Sequence, residues 1–161
     1  AVTFAGSASA EKLKATLDGK TEVPANTSAG TGTADIDYDA DSKKLTWKVT
    51  YSGLSGPATA AHFHGPAEAG KNAGVAVAIP NATTSPVEGS ATLTDAQAAD
   101  LLAGKYYVNI HTQANPGGEI RGQVTNKLRQ QVGCLPSRRN KPAFTFHEAQ
   151  GADASHAPPV V

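Results

Sequence analysis

Histidine is scarce in this chain, and three of its five copies fall where they can act together. His62 and His64 form a His-x-His pair in Ala60-Ala61-His62-Phe63-His64-Gly65, and His111 lies in Tyr107-Val108-Asn109-Ile110-His111-Thr112. Both segments have β character, and side chains along a strand alternate between its two faces. Phe63 is the inward residue of the first segment, so His62 and His64 share the opposite face. Val108 and Ile110 turn inward in the second, which leaves Asn109 and His111 outward. If the two strands are neighbours, three imidazoles meet on one surface. Such a donor set suits copper or zinc. The same rings without an ion can act as a polar cluster that fixes strand register beneath the loop at 66–72.

The elements that must position these residues are short and β-rich. Alternating apolar and polar residues predict strands over 12–18, 31–38, 43–51, 58–65, 74–79, 88–93, 105–112 and 119–124. Leu45, Trp47, Val49 and Tyr51 share one face of the third. The turn at 39–42 joins the second and third strands into a hairpin. A single helix is expected over 95–103, with Thr94 as N-cap, Gln97 at the capping-box position and Gly104 as the stop. About eight strands and one short helix predict an all-β fold, a Greek-key-like antiparallel β-sandwich. One helix is too few for a parallel sheet.

Length and composition agree with that class. The 161 residues allow one domain, placed at 11–126, and Gly and Pro together number 26, as a turn-rich domain needs. The net charge is zero but uneven: residues 1–126 hold 9 Lys/Arg against 12 Asp/Glu, and residues 127–161 hold 5 against 2. No concentrated basic stripe marks a nucleic-acid footprint. No apolar run reaches the roughly 20 residues of a transmembrane helix. Cys134 is the only cysteine, so no internal disulfide can form and catalysis there is not expected. The start of the chain reads as the end of an apolar segment followed by Ala8-Ser9-Ala10, the manner in which a secretory signal peptide closes. Residues 1–10 are therefore expected to be a signal-peptide remnant or a flexible N-terminus. The setting is expected to be secreted, periplasmic or cell-surface.

Residues 127–161 differ in kind, with four prolines, Arg138-Arg139 and no sustained periodicity. They are read as a mobile or partner-binding tail, in which residues 144–146 can serve self-association or an extracellular protein partner by edge-strand pairing. His147 and His156 lie in that tail and default to surface histidines. Asp35, Asp37, Asp39 and Asp41 resemble a calcium loop in spacing but lack its Gly and terminal Glu, and are read as a solvated hairpin edge. No Ser/His/Asp arrangement or carboxylate pair supports hydrolysis.

The ordered motifs His62-Phe63-His64-Gly65-Pro66-Ala67, Leu93-Thr94-Asp95-Ala96-Gln97, Leu101-Leu102-Ala103-Gly104, Tyr107-Val108-Asn109-Ile110-His111-Thr112 and Pro116-Gly117-Gly118-Glu119-Ile120-Arg121-Gly122-Gln123 together resemble the CHRD domain. The resemblance covers about residues 11–125 and implies an extracellular β-sandwich without a settled activity. A weaker similarity, in the order of the His-x-His strand, the His111 strand and the closing Gly-Glu-Ile-Arg-Gly-like strand, is to copper/zinc superoxide dismutase. Carried over, it implies copper on His62, His64 and His111, with Arg121 as the catalytic residue that guides superoxide beside the open position. The strand faces put Arg121 outward, as that role requires. Asn109 is then expected to orient a ligand, and Glu119 to pair with Arg121 or to fix an imidazole N–H from behind. Residues 65–110 contain no histidine, so no zinc subsite is supported and any dismutase chemistry is copper-only. Three functions stay open: an exported copper-binding domain, a metal-free structural or self-assembly module, and a copper-only dismutase-like enzyme.

Overall fold

The computed structural model describes residues 10–126. The expected tail at 127–161, with Cys134, His147 and His156, lies outside the described residues, as does the expected processing segment apart from Ala10. Nine strands form one sheet: β1 (Glu11–Asp18), β2 (Thr31–Asp39), β3 (Lys44–Ser52), β4 (Ala58–His64), β5 (Val75–Ile79), β6 (Val87–Thr92), β7 (Tyr107–Thr112), β8 (Ile120–Gln123) and β9 (Thr125–Asn126). Every pairing is antiparallel, in the order β5-β4-β7-β8-β1-β2-β3-β6, with β9 also on β1. The two ends of this order, β5 and β6, approach each other, so the sheet nearly closes into a barrel-like sandwich. The sequence reading ends its last strand at Val124. That residue turns fully into the core, and two further residues pair with β1 beyond it.

Alternation explains which face is which. Leu13, Ala15 and Leu17 of β1, Ala34 and Ile36 of β2, Leu45, Trp47 and Val49 of β3, and Val108 and Ile110 of β7 all point inward and are buried. Trp47 and Phe63 meet edge-to-face at 5.3 Å inside the barrel, joining the β1-β2-β3 half to the β4-β7 half. The solvent faces of β1, β2 and β3 carry opposite charges across from one another, including the Lys14–Asp35 and Asp35–Lys48 register pairs. Lys12–Asp37 and Lys48–Glu88 close as surface ion pairs. Asp39 Oδ1 accepts from the Asp41 and Ser42 amides, so the aspartate series forms a hairpin edge and its turn.

The single helix α1 (Asp95–Leu102) starts at the expected N-cap. Thr94 and Gln97 exchange the two hydrogen bonds of a capping box, at 3.2 and 3.0 Å. Its buried face is Ala98 and Leu101, and Gln97 Nε2 also donates to Ala76 O on β5 at 3.2 Å. The helix thus ties down one side of the seam between β5 and β6. No described helix is long and apolar enough to cross a membrane.

Candidate metal site

The pairing of β4 with β7 decides the site. His62 stands opposite Asn109, His64 opposite Tyr107, and Ala60 opposite His111. The three histidines therefore share the outward face of adjacent strands, while Phe63, Val108 and Ile110 on the other face are fully buried. Ala60 is too small to fill the space across from His111, so that ring can lean toward His62. The ladder is irregular on both sides of the pair, between Ala58 and Ala60 against β7 and between Phe63 and His64 against β5. Bulges of this kind re-aim side chains next to functional sites.

The rings lie 5.0 Å (His62–His111), 5.5 Å (His62–His64) and 5.9 Å (His64–His111) apart between centroids. One nitrogen from each lies within 4.8 Å of the others. Hydrogen bonds assign the nitrogens. His64 Nδ1 lies 3.1 Å from Ala73 O, and His111 Nδ1 lies 2.9 Å from Pro116 O. A carbonyl only accepts, so both Nδ1 atoms carry the proton and both Nε2 atoms offer lone pairs. His62 Nδ1 stands 3.1 Å from His111 Nε2 and donates to it. His64 Nε2 is buried and has no hydrogen-bond partner among the described residues. Burial lowers the pKa of both His62 and His64 below 6.5, which keeps them neutral at pH 7. Neutral imidazoles with their far N–H groups held by backbone carbonyls are poised as metal ligands. An ion about 2 Å from each nitrogen needs them within about 4 Å of one another. Small χ rotations of His62 and His111 achieve that.

The other expected residues are placed differently from the expectation. Arg121 faces away from the core, but it is only 2% exposed. Its guanidinium donates to Asn72 Oδ1 at 2.7 Å and to Lys71 O, and its Cζ lies 3.4 Å from the centroid of the Tyr107 ring. Tyr107 in turn stacks on His64 at 4.9 Å with planes 4° apart. Arg121 is thus separated from His64 by a phenol ring and is covered by a loop. Glu119 neither pairs with Arg121 nor holds an imidazole. It precedes β8 and turns the other way, accepting from Ser28 Oγ, Ser55 N, Ser55 Oγ, Thr112 Oγ1 and Asn115 Nδ2. Burial alone raises its pKa, but the hydrogen bonds from Ser28, Ser55 and Thr112 outweigh burial and hold it at about 2. Asn109 is buried and donates to Glu22 Oε1 at 2.8 Å rather than touching a histidine, and its Oδ1 is unpartnered. Gly118 lies against this pair. Its φ is +130°, and a Cβ there would fall 2.4 Å from Asn109 Nδ2 and 2.5 Å from Glu22 Oε1.

Sequence reasoning missed Tyr107, Glu22 and the carbonyls of Ala73 and Pro116. Tyr107 was within reach, because it lies two residues before Asn109 and four before His111 on the same face. Glu22 sits in a Pro-containing loop with no periodicity. Burial raises its pKa, only partly offset by the Val23 amide, Arg121 and Asn109. The family model of the CHRD domain matches residues 13–124. No curated protein and no solved structure matches the chain.

Proposed function

The chain belongs to the CHRD domain family, and from that premise we propose that it binds one copper ion through His62, His64 and His111. The observation that carries this reading is His64 Nε2, a buried lone pair with no protein partner, aimed into a cluster of two further imidazoles. Leaving such an atom unmet costs about 1–3 kcal/mol, and a metal ion meets it. Three imidazoles without a carboxylate or thiolate suit copper, which also heads the affinity order of the divalent first-row ions. On binding, the ion takes the place of the proton that His62 Nδ1 shares with His111 Nε2, and His62 moves its proton to Nε2. An extracellular, periplasmic or cell-surface setting belongs to the same proposal.

We propose binding rather than turnover of superoxide. An anion guide must reach the open coordination position, and Arg121 is spent on Tyr107 and the 71–72 backbone. A second reading is favoured by the His62–His111 hydrogen bond: without an ion, the cluster is a polar lock on the β4–β7 register. Metal content separates the two. Untagged protein loaded with Cu(II) and freed of excess should retain one copper per chain by mass spectrometry, and H64A, folded by circular dichroism, should retain none. Wild-type protein that holds no copper leaves the polar lock as the function of the cluster.

A further inference from the structure

A buried guanidinium usually stands against a carboxylate. Arg121 has no ion pair among the described residues and is met by neutral groups alone: a carbonyl, an amide oxygen and an aromatic face. Burying a charge on such terms is costly, so the contacts it makes are worth tracing. They converge on one segment. Arg121 grips Lys71 O and Asn72 Oδ1, and Asn72 Nδ2 continues to Val23 O at 3.2 Å. The next residue is Ala73. Its N–H donates to the Tyr107 hydroxyl at 3.1 Å, and its carbonyl accepts from that hydroxyl at 3.3 Å and from His64 Nδ1 at 3.1 Å. Tyr107 is itself clasped between the Arg121 guanidinium on one face and the His64 imidazole on the other.

We infer that Arg121 and Tyr107 are positioning residues of the histidine site, clamping the 71–73 backbone so that the Ala73 carbonyl fixes the tautomer and ring angle of His64. This rests on the metal reading for its consequence, since the clamp matters to affinity only if His64 Nε2 is a ligand. The stack restrains tilt of the imidazole plane, and the carbonyl selects the Nδ1–H form, so Nε2 is presented without a search. Arg121 suits the task better than lysine because its planar fork reaches two acceptors while lying flat on the phenol.

The test uses the full chain and two readouts. Ring-nitrogen NMR of the metal-free protein reports the His64 tautomer, and competition with a chelator of known affinity reports the Cu(II) Kd. Wild-type protein should show the Nδ1–H form alone. R121Q and Y107F should show mixed tautomers and a Kd weakened about 10- to 100-fold, with R121K between. Y107F keeps the ring stack and serves if R121Q does not fold. A single Nδ1–H tautomer and a Kd within twofold of wild type in both folded variants overturn the inference. If wild-type protein shows no Cu(II) affinity, the metal reading fails, while a tautomer change in the variants still supports the clamp.

Discussion

His64 and Glu119 show how differently two buried polar residues can be used. His64 keeps one ring nitrogen on a carbonyl and the other unmet, which is the arrangement of a ligand. Glu119 is the opposite case, with both oxygens supplied by donors from three separate loops. Its carboxylate ionises near 4.5 when unfolded and at about 2 when folded. The folded pKa is depressed, so the stability it contributes is full above about pH 4.5 and is lost as pH falls through about 2. Between pH 6 and pH 3 the wild type should lose about 2 kcal/mol from this group, and E119Q should lack that share. Urea titrations of both at the two pH values measure the difference; equal pH slopes would contradict it. The histidine trio was legible because alternation fixes faces. The partners of their N–H groups were not, because a backbone carbonyl has no sequence signature. Placing Glu119 beside Arg121 failed for a related reason. Residues two apart share a face only inside a strand, and Glu119 lies before β8 begins.

At the scale of elements, strands and helix were readable from period and caps. The Thr94–Gln97 pair marked the start of α1, and both of its hydrogen bonds form. Thr94→Ala removes one of them and should cost about 1 kcal/mol, seen as a lower denaturant midpoint with an unchanged slope. No change in midpoint would mean that α1 is held by Ala98, Leu101 and the Gln97–Ala76 bond alone. The bulges in β4 were not readable, since an extra residue in a ladder is set by the partner strand. They matter here because they flank His62 and His64. The loop over Arg121 was seen only as a loop at 66–72, while its closure depends on Arg121, Gln123 and Tyr107, which are distant in sequence.

The whole molecule supplies what neither residue nor element holds, the adjacency of β4 and β7. Tyr51 and Ala58 are seven residues apart, yet β3 and β4 lie far apart in the strand order, and β7 slots beside β4 only after the α1 crossing. Period and turn signals cannot choose among such orders; burial of Phe63 against Val108 and Trp47 does. The three imidazoles are therefore brought together by the folded sheet and by nothing shorter, and a bound ion should report that assembly. The most direct measurement is Cu(II) spin resonance on full-length wild-type protein at one equivalent, with ring-nitrogen labelling of histidine. Hyperfine coupling to three imidazole nitrogens, reduced in H62A, H64A and H111A alike, is the predicted result. A spectrum of weakly bound aqueous copper, or nitrogen coupling that persists unchanged in the three variants, would contradict the site.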